Sequence, residues 1–206
     1  MRKLIKNPEN LSLVDFIRLL DEENSIVLLA GKRDVMEADK PKLVRLGELL
    51  TKNTNNIIFR SGNADGADQL FSEGVIKINS KKLQVITPYS GLKIANNNAY
   101  QTIPLDSINL AQEPDVVYTA QKNREVKGLV VEYMKGADKR LKSKGAYILR
   151  DSVMVIGTKA GILPAYFAIF YDDLKKPQQG GTGHTMLMCK EKNVPFIDQR
   201  TWMKWL

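Results

Sequence analysis

Two glycine-rich stretches carry the residue types that can hold a phosphate. The later one, Lys176–Ile197 (KPQQGGTGHTMLMCKEKNVPFI), sets Gly180, Gly181 and Gly183 where a loop opens a short helix, about Thr182 to Lys192. Glycines at such a junction let the backbone turn tightly and come close to a ligand. The first free N–H groups of the helix, aided by its dipole, then favour an anion. Thr182 and Thr185 add hydroxyl donors. His184, the only histidine, lies in the same loop. At a helix N-terminus its imidazole is expected to be neutral, donating either to a ligand or within the loop itself.

The earlier stretch, RSGNADGADQLFSEGVIK, offers Ser61, Gly62 and Asn63 as a turn, with Asp65 and Asp68 behind it. One reading makes these two carboxylates a helix cap and a buried salt-bridge partner; the other has one of them accept from a ribose hydroxyl. A third loop, Gly31-Lys32-Arg33-Asp34, follows an apolar run. Lys32, Arg33 and Arg60 are cations near strand ends and candidate phosphate contacts. Arg150 is a further candidate, with Arg124 as its competitor. Asp172-Asp173, just before the late glycine loop, form either a turn or a divalent-ion site beside a phosphate. With no second histidine or cysteine nearby, no His/Cys metal site is expected. Cys189, Met186 and Met188 read as core packing.

The elements that must position these loops follow from periodicity. Leu11–Leu20 is spaced as a helix capped by Asn10 or Ser12. Ser25–Ala30 (SIVLLA) is a continuous apolar run, the mark of a strand covered on both faces. Pro41 opens a helix to about Lys52, with Leu43, Leu46, Leu49 and Leu50 on one stripe. Asn56–Phe59 and Lys82–Thr87 read as strands with a helix between them, capped by Asp65. Ser90–Pro114 shows no period and reads as irregular. Asp115–Lys142 reads as mainly helical, Ser152–Ile156 as a buried strand, and Ala165–Tyr171 as another strand. Val194–Ile197 is a strand, and Gln199–Leu206 an amphipathic tail. Strands alternating with helices imply an α/β fold: a Rossmann-like three-layer sandwich, its central sheet mostly parallel and both faces covered by helices. In such a sheet the three loops share the carboxyl edge, where a ligand crevice forms at the reversal of strand order.

At 206 residues the chain reads as one domain, 1–206, with an insertion around 90–145. The net charge is +8, from 31 basic and 23 acidic residues, which suits an anionic ligand or nucleic acid. Much of the excess lies in Lys122–Arg150, read either as a solvated helix face or as a nucleic-acid groove. One cysteine excludes an internal disulfide and fits a reducing compartment. No segment reads as a signal peptide or a membrane span, so a cytoplasmic location is expected.

The set GKRDV, RSGNADGADQLFSEGV and GGTGHTMLMCKEKNVPF resembles the SMF/DprA–LOG (SLOG) superfamily of Rossmann-like domains. That superfamily includes DNA-processing protein A, the Lonely Guy phosphoribohydrolases, and nucleotide sensors of bacterial and phage conflict systems. The resemblance covers about half of the chain. It implies a nucleotide or nucleotide-derived phosphate bound between the loops, a homo-oligomer, and two alternatives. One is hydrolysis of the N-glycosidic bond of nucleoside 5′-monophosphates; the other is single-stranded DNA binding. The chain departs from the Lonely Guy pattern PGGxGTxxE: His184 replaces the threonine, and Leu187 stands at the glutamate that takes part in bond cleavage. The Ser90–Lys144 region and the AYFAIFYDDL segment have no counterpart in the short family core and read as insertions.

Overall fold

The computed structural model describes residues 5–92, 97–136 and 139–206. The first four residues of the basic terminus, residues 93–96 of the irregular stretch and residues 137–138 of the basic run lie outside the described residues.

The longest apolar runs become the central strands, which are covered on both faces and so are apolar along their length. SIVLLA yields β1 (Ile26–Gly31), and the AYFAIFY run yields β5 (Phe167–Tyr171). They pair in parallel from Val27↔Phe167 to Gly31↔Tyr171. β2 (Ile58–Ser61), β3 (Leu83–Thr87) and β4 (Gln101–Pro104) extend the sheet on one side, and β6 (Phe196–Ile197) on the other. The order is β4-β3-β2-β1-β5-β6, every pairing parallel. The chain therefore moves outward from β1 to β4 and then returns to β5 beside β1. The topological switch lies between β1 and β5.

Alternate strand residues feed two cores. On one face Val27, Leu29, Phe59 and Phe167 meet α1 (Leu13–Leu20), α2 (Lys40–Asn53), α3 (Ala67–Asn79) and α8 (Gln199–Trp202). On the other Leu28, Ala30, Ile86 and Phe170 meet α4 (Pro114–Gln121), α5 (Lys127–Met134), α6 (Lys139–Ile156) and α7 (Gly180–Glu191). This is the expected three-layer α/β sandwich. Ser12 caps α1, its side chain accepting from Asp15 N, and Pro41 lies in the first turn of α2.

Four expectations are corrected. Ser152–Ile156 is the last part of α6, not a strand. Ser152 Oγ donates to Ile148 O one turn back, and the SVMVI run is apolar because the sheet and the neighbouring helices cover it, which periodicity alone does not separate from a strand. The AYFAIFYDDL segment is no insertion, since it forms β5 at the centre of the sheet. The irregular stretch contains β4, a four-residue edge strand whose first two residues, Gln101 and Thr102, are exposed, so no apolar pattern marks it. Asp65 does not cap α3. The N-cap is Gly66 at φ +86°, where a Cβ would lie 2.1 Å from Arg33 O.

Candidate ligand crevice at the sheet's carboxyl edge

The three loops meet at the switch point, as their strand ends require. Lys32 N donates to Tyr171 O (2.9 Å) and Ala67 N to Lys32 O (3.1 Å), tying the loop after β1 to β5 and α3. Gly31 is demanded by close approach, since a Cβ there would lie 2.5 Å from Tyr171 O. Asp68, near the start of α3, holds the first two loops together: its carboxylate accepts from Gly31 N (3.0 Å) and Gly62 N (3.2 Å). The loop after β5 is held from below. Gln199 clamps the Asp172 backbone through both amide atoms, and Asp172 Oδ2 accepts from Gln178 N (2.9 Å). Gln178 and Gly180 take left-handed conformations, and Gly183 packs so tightly on Gln178 that a Cβ would lie 2.0 Å from its carbonyl.

Between these loops lies a cavity of about 480 Å³. Of the sequence candidates, Gly31, Lys32, Arg33, Arg150, Gly180, Gly181, Thr182 and Thr185 line it. Ser61, Gly62, Asn63, Asp65, Gly183 and His184 do not. Ser61 and Gly62 are buried beneath the floor, and Asn63 holds the second loop's turn in a left-handed conformation (φ 52°). His184 points into the interface of α6 and α7. Its Nε2 lies 2.9 Å from Ser152 Oγ and its Nδ1 3.2 Å from Asn123 Nδ2. Because an amide nitrogen only donates, Nδ1 is the acceptor and Nε2 carries the proton. Burial lowers its pKa to about 4, so the ring is neutral, as expected, but structural.

Arg60 is equally removed from the crevice, fully buried beneath α6. Asp172 and Asp173 are used as turn ligands. Asp173 accepts from Lys175 N (3.0 Å) and pairs with Lys32 Nζ (3.2 Å), contacts that hold its carboxyl below the usual range. Among the described residues no group of three His, Cys, Asp or Glu side chains could hold a metal ion. Cys189, Met186 and Met188 are core residues, and burial pushes the Cys189 thiol far up.

Sequence reasoning missed one wall. Lys144, Tyr147, Ile148, Asp151 and Met154 line the cavity from α6. Their spacing is a helical stripe, and it is hidden once Ser152–Ile156 is read as a strand. Arg150 is buried here. Its Nη1 lies 3.9 Å from Asp68 Oδ2, and its Nε lies 3.1 Å from Asp151 Oδ1, misaligned for a hydrogen bond. Its guanidinium stacks 5.5 Å from the Tyr147 ring centroid, with Arg33 5.9 Å from the same ring. Gly62 makes room for it: a Cβ there would lie 1.3 Å from Nη1.

Electrostatically the cavity is positive, with Lys32, Arg33, Lys144 and Arg150 facing Asp68 and Asp151. Burial pushes Asp151 up to about 6, Asp68 adds to the rise, and Arg150 and Arg33 oppose it. Burial also raises Asp68, against Arg150 and the backbone amides of Gly31, Ala64 and Gly62. No side chain caps α7, the first-turn residues Gly180, Gly181 and Thr182 line the cavity, and a Cβ on Gly181 would stand 3.5 Å from Asp151 Oδ2. An uncapped helix start, flanked by cations and one carboxyl that is easily neutralised, is suited to an oxyanion.

No family model matches the chain, and no curated protein does. A solved structure similar to it is that of DNA processing protein A from Helicobacter pylori, described for its unique single-stranded DNA binding mode. The identity is 14% and the TM-score 0.49; the match covers 87% of this chain and 66% of that one. The chain thus spans about two thirds of that protein's length.

Proposed function

We propose that this chain binds a nucleotide or nucleotide-derived phosphate in the crevice between β1 and β5. The observation that carries this reading is the uncapped first turn of α7 opening onto a cavity at the switch point, beside Lys32, Arg33 and Arg150. The phosphate sits on the Gly181 and Thr182 amides, and Tyr147 with Leu129 offers a flat and an apolar wall for the base. Thermal-shift measurements with nucleoside phosphates, ADP-ribose and cyclic nucleotides test it. A rise in melting temperature with one of them, lost in Gly181→Asp, is expected. No rise with any of them counts against it.

A second reading, hydrolysis of the N-glycosidic bond of a nucleoside 5′-monophosphate, is favoured by Asp151. With a carboxyl pKa near 6, it keeps a minor protonated fraction at neutral pH that can donate where the usual glutamate is replaced by Leu187. Asp151 donates that proton to the departing base nitrogen as the C–N bond breaks. Water adds to the anomeric carbon and its proton restores the acid. Chromatography of monophosphates incubated with wild type and Asp151→Asn checks this. Free base from wild type alone supports it, and intact substrate rejects it.

A further inference from the structure

The opposite edge of the same sheet holds a second cavity, of about 690 Å³, at the amino ends of β1 to β4 and under the turn that leaves α6. Its floor contains Arg60, a fully buried guanidinium on a sheet face otherwise supplied by residues such as Leu28, Ala30 and Ile86. Nε donates to Gln84 Oε1 (2.6 Å), and Nη1 donates to Met154 O (2.9 Å), a last-turn carbonyl of α6. Nη2 has no partner. Among the described residues no ion pair involves Arg60, and burial lowers its pKa to about 9, so it remains a cation at neutral pH. Gln84 Nε2 in turn donates to Gln101 Oε1 (2.6 Å) on β4, which leads a polar track across three strands to the exposed edge.

A buried charge without a counter-charge, left with an unused donor, costs stability, and bonding the α6 carbonyl does not by itself require that charge. The chemistry that completes it is an acceptor carrying one negative charge. Ile26, Ile58, Leu83, Ile103 and Leu163 give the cavity an apolar wall for the ligand's body, beside a polar margin that includes Glu23, Asn24, Asn56 and Lys81. A dianionic phosphate would meet Arg60 and Lys81 offset by Glu23, a net single positive charge, and stay undercompensated there. We infer that this cavity is a second ligand site, taking a small molecule with a single carboxylate on an apolar body, the carboxylate seated on Arg60 Nη2. It is independent of the nucleotide crevice, which lies at the other end of the strands.

Benzoate is the probe, with benzyl alcohol as its uncharged counterpart and inorganic phosphate as the dianion, followed by amide chemical-shift titration of the full chain. Benzoate is expected to move the Ile58, Gln84, Gln101 and Gly161 amides with a Kd of about 10 mM or tighter, the floor that ligand efficiency sets for its size. Benzyl alcohol is expected to bind at least about tenfold more weakly. Arg60→Met removes the donor, but it also uncaps α6. Leu163→Trp therefore serves as a second variant, filling the cavity from a partly exposed position without touching Arg60. Loss of the benzoate shifts in Leu163→Trp, with the fold intact, supports the site. No shift by benzoate, equal binding of benzyl alcohol, preference for phosphate, or shifts that persist in Leu163→Trp would each overturn it.

Discussion

At the scale of single residues, the crevice turns on Asp151. Its carboxyl stands beside the opening of α7 and titrates near 6, so above that pH it opposes an anion and below it does not. The folded pKa is raised above the ordinary carboxylate value of 3.8, so the folded chain gains relative stability as pH falls from above 6 toward 4. Anion binding follows the protonated fraction. Affinity for ADP-ribose, whose diphosphate does not titrate in this window, should be flat below about pH 6 and weaken by up to about tenfold per unit above it. Asp151→Asn should remove that dependence; calorimetric titration between pH 5 and pH 8 checks it. Arg150 is the other pivotal side chain. Gly62→Ala drives a methyl into its guanidinium and loosens it from Asp68, with an expected loss of about 2 kcal/mol or more in denaturant unfolding. Gly181→Ala meets only ordinary contact at 3.5 Å and should leave stability within about 0.5 kcal/mol of wild type.

At the scale of elements, the site depends on how each loop is pinned to the strand or helix beside it. Gly183→Ala would force α7 away from the Gln178 carbonyl, and an expected loss of about 1–3 kcal/mol should come with weaker ligand binding. Melting temperature and titration of the same variant test both halves. Much of this arrangement is legible in the chain itself. SIVLLA announces a buried strand, Pro164 and Asp172-Asp173 bound AYFAIFY to a strand's length, and glycines at 31 and 183 mark where backbones must approach one another. Other parts are not. β4 is four residues long and exposed on its first two positions, so it has no apolar signature. The end of α6 is covered on several sides, which erases the 3.6-residue period and concealed the Lys144–Tyr147–Asp151 wall. His184 has the residue type and loop of a ligand contact, but a helix residue four positions in can face the core, and only the packing of α7 on α6 decides that it does.

At the scale of the whole molecule, a net charge of +8 favours anions in general, yet the basic run is dispersed by the fold. Lys122 pairs with Glu191, Lys135 with Glu132, Arg150 is buried, and Lys144 faces the cavity. A crevice that engages one or two phosphates displaces few counterions, and one of its cations, Arg150, is buried. Nucleotide affinity should therefore fall only a few-fold between about 50 and 200 mM salt, whereas single-stranded DNA binding through many phosphates would fall by orders of magnitude. Titrations with ADP-ribose and an oligodeoxynucleotide at both salt concentrations separate the two.

The most direct measurement is electron density in crystals grown with ADP-ribose at a saturating concentration. The account predicts a phosphate within hydrogen-bond distance of the Gly181 and Thr182 amides, between the ends of β1 and β5. Ligand found elsewhere on the molecule, or a crevice closed by Arg33 and Asp151 while the nucleotide still binds in solution, would contradict it.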